Sequence, residues 1–277
     1  MSAPADLAIV AAGLAAGTIN TIVGSGSLVT FPTLLALGYA PVVANVSNTV
    51  GLVPGSLSGA IAYRSELRGQ RRRLVVLGCA SVAGGVAGAG LLLALPGSVF
   101  RHVVPALILV ACVLVAVQPR LAARRQGGRA PEHLSPDEGG DSPPADQSVP
   151  GRPRAHAVLD GAGGPGLVAT VFASGVYGGY FGAAQGVILM SLLGIFVDDH
   201  LQRLNAAKNV LALLVNAMAA VVFIALTHIA WEAAGLLALG SAIGGQVGGV
   251  VGRRLPAGVL RVVIIAVGVS AAVALLV

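Results

Sequence analysis

Apolar stretches long enough to cross a bilayer follow one another along this chain, divided by arginine-bearing loops. They are Leu7–Val23, Pro41–Tyr63, Leu74–Leu95 and Val99–Gln118, then Val158–Phe181, Leu204–Leu226, Ala233–Val251 and Pro256–Val277. A helix needs about 20 such residues to cross roughly 30 Å of hydrocarbon, where every backbone N–H and C=O must be bonded inside the protein. Composition points the same way, with only 10% of residues charged, 56% hydrophobic and a mean hydropathy of +0.87. A soluble domain carries roughly 25% charged residues. The soluble class is excluded, and with it most enzymes. The net charge of +6 and pI of about 10.1 would suit nucleic acid, yet the arginines stand in the loops, as cytoplasmic loops of membrane proteins require. The partner implied is a lipid bilayer, and no nucleic-acid partner is expected.

Two apolar pieces are too short to span. Gly24-Ser25-Gly26-Ser27 interrupts the first stretch, and the region from Gly24 to Gly38 would reach only about 22 Å as helix. In the second half Gly182-Ala183-Ala184-Gln185-Gly186 interrupts in the same way, before a short piece ending at Val197. Both predict broken or re-entrant helices. Residues 119–157 mix arginines and acids with recurrent prolines and cannot bury enough apolar surface to order themselves, so a disordered cytoplasmic linker is expected there. The expected domains are therefore 1–118 and 158–277, joined by that linker. Met1–Asp6 holds no basic run, so no cleaved signal peptide is expected. Cys79 and Cys112 stand in apolar stretches without metal-ligand spacing and read as buried small hydrophobes.

The two halves repeat each other. Gly84-Gly85-x-x-Gly88 returns as Gly244-Gly245-x-x-Gly248, and at the same offset Leu95-Pro96-x-x-Val99-x-Arg101 returns as Leu255-Pro256-x-x-Val259-x-Arg261. Gly17 and Gly24 match Gly175 and Gly182 at a nearby offset. Placing the 64–73 loop in the cytoplasm also places 119–157 and Arg253-Arg254 there if each half crosses an odd number of times, while the counterpart at Pro96 lies outside without an arginine pair. That distribution favours an inverted repeat over a parallel one. The expected fold is an all-α polytopic membrane protein of two homologous halves, each with about four or five spanning or broken helices, about eight to ten in total.

No Gly-x4-Gly-Lys-Ser/Thr loop is present, and the Gly-x-Gly at Gly24 lacks a strand–turn–helix context, so nucleotide chemistry finds no support. The Gly-x3-Gly spacings read as helix-packing surfaces. Polar residues inside the apolar stretches say more, because each needs a partner in lipid. They gather at the two breaks and at the start of the stretch after each: Asn20, Thr21, Ser25, Ser27, Asn45, Ser47, Asn48 and Thr49, then Tyr177, Tyr180, Gln185, Asn205, Lys208, Asn209 and Asn216. A break exposes backbone N–H groups and the positive end of a helix dipole, a natural place to hold an anion. Lys208, the one lysine of the chain, has two readings: a side chain that snorkels to the interface beside Arg203, or a fixed positive charge facing a cavity. Acids lie near the ends of the stretches, which gives a buried carboxylate relay little support. His102, His228 and Trp231 read as interfacial, and no metal or cofactor site is expected. Candidate substrate contacts are Asn20, Thr21, Gly24, Ser25, Gly26, Ser27, Asn48, Thr49, Gly182, Gln185, Asn205, Lys208 and Asn209.

The stretch Gly17-Thr18-Ile19-Asn20-Thr21-Ile22-Val23-Gly24-Ser25-Gly26-Ser27-Leu28, with Phe31-Pro32 and Gly38 after it, resembles the first-repeat signature of the TauE/SafE sulfite exporter family. Ala44-Asn45-x-Ser47-Asn48-Thr49 and Pro54-Gly55 continue the resemblance. Asn205-Ala206-x-Lys208-Asn209 with Asn216, and the region of Trp231, look like the matching second-repeat stretch. The resemblance implies a permease of the plasma membrane, not an enzyme, that moves a small anion such as sulfite, thiosulfate or sulfoacetate. One departure is that Gly182-Ala183-Ala184-Gln185 replaces Gly24-Ser25-Gly26-Ser27, so the half-sites differ. A channel-like anion pore, a membrane-embedded enzyme and a structural subunit are the alternatives. The enzyme lacks convergent acids or metal ligands at depth, and the subunit leaves the buried Asn and Lys unexplained.

Overall fold

A computed structural model describes residues 3–126 and 164–251. The helices are α1 (Ala3–Ile22), α2 (Ser27–Ala36), α3 (Pro41–Ala62), α4 (Arg71–Ala94) and α5 (Gly97–Gln126), then α6 (Pro165–Tyr180), α7 (Gln185–Phe196), α8 (Leu201–Leu226) and α9 (Trp231–Val251). No strand occurs among the described residues. α1, α4, α8 and α9 are long and apolar enough to cross a membrane, so the chain is a multi-pass helical membrane protein. α3 is as long, with 22 residues, but carries Asn45, Ser47, Asn48, Thr49, Ser56 and Ser58 buried against neighbouring helices, so its polar groups avoid lipid.

Small residues set the packing. α1 lies against α9 in parallel, Gly13 meeting Leu237 and Gly240, and Gly17 meeting Ser241. Farther along the same contact, Gly244 meets Leu14 and Thr18, and the Thr18 hydroxyl donates to the Gly244 carbonyl at 3.0 Å. α6 lies on α4 in the same manner, with Gly84 against Phe172 and Gly175, and Gly88 against Val176 and Tyr180. A Cβ at Gly84 or Gly244 would run into backbone, so these positions must stay small for the helices to touch. Each half thus sends its opening helix to the fourth helix of the other half. α3 and α8 pack on each other, with α9 and α4 on their far sides.

The short helices α2 and α7, about 15 Å and about 18 Å long, turn back toward the end from which α1 and α6 set out. After α2 the chain is again at the start of α1. Burial there, and then the carboxylates of Glu232 and Asp6, push the Tyr39 phenol up from its ordinary value. After α7, Asp199 accepts from Arg73 at the start of α4 (3.0 Å) and from Arg203 in the first turn of α8 (2.8 Å). Burial works to raise the Asp199 carboxyl, but the bonds from Arg73, the His200 N–H and Arg203 outweigh it and hold it below the usual carboxylate range.

Several boundaries differ from expectation. α5 continues through 119–126, where the linker was expected to begin, because Leu121-Ala122-Ala123-Arg124-Arg125 favours helix. The rest of that linker and the stretch Pro256–Val277 lie outside the described residues. α8 begins at Leu201, so Arg203 belongs to the helix rather than to a preceding turn. Cys112 is buried as expected, but Cys79 is exposed. It lies on the outer face of α4, where a small apolar thiol faces lipid at no cost.

Candidate functional site

Both breaks begin with the same turn. The Gly24 N–H reaches back to the Ile19 carbonyl at 3.1 Å with φ of 90°, and the Gly182 N–H reaches back to the Tyr177 carbonyl at 3.1 Å with φ of 75°. This left-handed glycine with a six-residue bond is the usual way to stop a helix and satisfy its last carbonyls. The breaks then meet: the Gly186 N–H donates to the Gly24 carbonyl at 3.0 Å, and a Cβ on either glycine would overlap the other's backbone. Phe31 and Phe181 close one side of this contact, edge to face at 5.2 Å, and Phe100 packs on Phe181 and Tyr180.

Ser25 and Gln185, both buried, flank the junction, and neither the Ser25 Oγ nor the Gln185 Nε2 has a partner among the described residues. A buried hydroxyl and a buried amide N–H2 left unpaired each cost about 1–3 kcal/mol, so they mark a place where a ligand would be welcome. Gly26 is buried and precedes α2 without a side-chain cap, and Ser27, half-buried, starts that helix. The Gly186 N–H, expected to face an anion, is occupied by Gly24.

A second group sits at the end of α1. Lys208, with 1% of its surface exposed, donates from Nζ to the carbonyls of Asn20 (3.1 Å) and Thr21 (3.3 Å). Asn205 and Asn209 donate from Nδ2 to the same Thr21 oxygen at 3.3 and 3.4 Å. Five residues of the expected site, Asn20, Thr21, Asn205, Lys208 and Asn209, therefore meet at the last turn of α1, and Lys208 does not snorkel. Thr21 takes part through its carbonyl, while its hydroxyl lies toward Gly59 of α3. Asn20 and Asn216 both donate to the Ser56 hydroxyl at 3.4 Å, tying α1, α3 and α8 together.

Asn48 and Thr49 belong to a third group, the first-half counterpart of the second. Asn45 donates to the carbonyl of Tyr180, in the last turn of α6, at 3.0 Å, as Asn205 does for α1. Thr49 bonds back to the Asn45 carbonyl, and Asn48 accepts from Thr30 of α2. Asn45, Ser56 and the Tyr180 carbonyl were not among the candidate contacts. Asn45 could have been found: it stands to Asn205 at the same offset as Gly84 to Gly244, and Asn48 stands so to Lys208.

The broken helix pairs and the buried polar clusters on α3 and α8 define a polytopic membrane protein of the transporter class. The sulfite exporter TauE/SafE family model matches residues 9–275, and the chain belongs to that family. It is also similar to a probable membrane transporter protein, ORF9, of Sinorhizobium sp, with 24% identity over 272 residues covering 96% of this chain and 90% of the relative. No solved structure matches it.

Proposed function

We propose that the chain is a secondary transporter that carries a small anion, sulfite or another sulfur-containing or organic anion, across the plasma membrane. It works by alternating access at a midplane site where two inverted repeats bring their broken helices together. The observation that carries this reading is the junction of the breaks, where the Ser25 hydroxyl and the Gln185 amide are buried and unpaired. The Ser25 hydroxyl and the Gln185 N–H2 can each donate to an oxygen of a bound anion. The packing of α1 on α9 and of α6 on α4, with α1 and α6 entering from opposite ends of the bundle, supports the inverted repeat. Among the described residues one backbone bond, Gly186 to Gly24, joins the breaks, and an arriving anion can exchange with it.

The test is uptake into proteoliposomes of sulfite, thiosulfate, sulfoacetate and small carboxylates, with and without a pH gradient. Saturable uptake with counter-substrate exchange is expected for at least one of them. Unsaturable flux without exchange would indicate a pore, and no flux of any of them sinks the reading. Lys208 supplies the positive charge that balances the anion, so Lys208→Met should abolish flux while the protein still reaches the membrane. Unchanged transport by that variant would remove Lys208 from the site.

A further inference from the structure

The ammonium of Lys208 is placed where a free cation would sit. Its Nζ lies 3.1 Å and 3.3 Å from the Asn20 and Thr21 carbonyls, at the C-terminal end of a helix that stops inside the bundle. That end carries the negative pole of the helix dipole and its unsatisfied carbonyls. Capping alone does not explain a charge. The end of α6 is capped by the neutral amide of Asn45 from the first half, and the first-half position equivalent to Lys208 is Asn48, which bonds to Thr30 instead. The two halves end their broken helices alike, yet only one brings a cation to the end. The Thr21 oxygen there accepts from three donors, Lys208, Asn205 and Asn209, at 3.3–3.4 Å, so no single bond holds the ammonium tightly.

We propose that the Asn20 and Thr21 carbonyls form a monovalent-cation site that the chain fills with its own tethered ammonium, Lys208, so that a proton on Lys208 takes the part a sodium ion would play in coupled transport. The proposal rests on the transporter reading for its role in flux, but the cation site itself does not.

Among the described residues the hydrogen bonds of Lys208 go to carbonyls alone, and the 3-10 turn Arg64–Leu67 that packs on α8 carries Arg64 and Glu66. α2, α3 and α7 carry no titratable side chain, and those of α6 are Tyr177, bonded to the Ala183 carbonyl, and Tyr180, packed on Phe100. On α4 there are Cys79, exposed, and Arg71, Arg72 and Arg73 at its start. Arg73 and Arg203, the other cation of α8, are held by Asp199. On α1 and α9, Asp6 and Glu232 stand in the first turns, at the end away from Thr21.

The first experiment reads binding without transport. Purified Lys208→Ala is unfolded thermally in sodium, methylammonium, tetramethylammonium and choline chlorides at equal ionic strength. Sodium or methylammonium, small enough for the vacated site, should raise the midpoint by at least ~2 °C over choline, whereas tetramethylammonium, wild type and Lys208→Met should not respond. An equal response in wild type and Lys208→Ala, or none in either, overturns the proposal. The second uses the wild-type protein and so does not depend on the variant folding. In mildly acidic buffer, with Lys208 protonated, anion counterflow should be indifferent to replacing sodium by choline. It should fall as the pH is raised and Lys208 loses its proton, and recover at least threefold there on adding sodium or methylammonium. Lys208→Arg, charged throughout, should flatten that pH profile. Stimulation by sodium in mildly acidic buffer, where Lys208 holds its proton, or no recovery at high pH, overturns the proposal. Absence of counterflow under every condition would instead overturn the transporter reading and leave the thermal result to decide the cation site.

Discussion

At the scale of single residues the junction depends on two glycines with different obligations. Gly24 has φ of 90° and its missing Cβ is where Gly186 sits, while Gly186 is helical and needs only the space. An alanine at position 24 would pay about 1–2 kcal/mol for a left-handed backbone and would also push the breaks apart, losing a hydrogen bond worth about 1 kcal/mol. Gly24→Ala should therefore destabilise by about 3 kcal/mol, and Gly186→Ala by less, since only the steric part applies. Thermal unfolding of the two variants checks the order, and equal losses would mean that backbone conformation is not the deciding factor. The sequence marked these glycines because they interrupt apolar runs. It could not show that they touch, since nothing local links position 24 to position 186. The fate of Lys208 was hidden for a similar reason. Its burial depends on α1 ending opposite it, which is a tertiary fact, whereas its place inside an apolar run is plain in one dimension.

At the scale of elements, Asp199 fastens the turn between α7 and α8 to the start of α4. Its carboxyl is held below the usual range by Arg73, the His200 N–H and Arg203, against burial. A carboxylate whose value is lower folded than unfolded stabilises the fold above its ordinary value of about 3.9, and that contribution is lost as pH falls through the depressed native value. Asp199→Asn should thus lower the unfolding temperature at pH 7, by an amount on the order of 1 kcal/mol for a pair near the surface. The gap to wild type should close as pH falls below about 4. A gap that persists unchanged at pH 3 would show that the loss comes from packing rather than charge. Helix positions were legible because hydrophobic length is a local property in lipid: α1, α3, α4 and α9 start or stop within a few residues of the apolar stretches. The end of α5 was not, because prolines and arginines suggested a loop where Leu121, Ala122 and Ala123 still support helix.

For the whole molecule, the internal repeat was visible in paired motifs, but the way the halves embrace was not. Gly84 and Gly244 do equivalent work, each letting the opening helix of the opposite half touch the backbone. One consequence concerns sidedness. The 64–73 loop and Asp199 mark one end of the bundle, while Asp6, Tyr39 and Glu232 mark the other. Arginines crowd the first end, with Arg64, Arg68, Arg71, Arg72, Arg73 and Arg203 there, and the positive-inside rule predicts that this end faces the cytoplasm. In a variant with both native cysteines replaced, Leu37→Cys and Arg68→Cys test this, since both positions are exposed. A maleimide that cannot cross membranes should label position 37 in intact cells. Position 68 should react only after the cells are opened, and Trp231→Cys, exposed at the start of α9, should follow position 37. If 37 and 231 were labelled from opposite sides, α1 and α9 could not run parallel, and the exchange of helices between halves would be wrong. If all three reversed together, the packing would stand and only the orientation in the membrane would change.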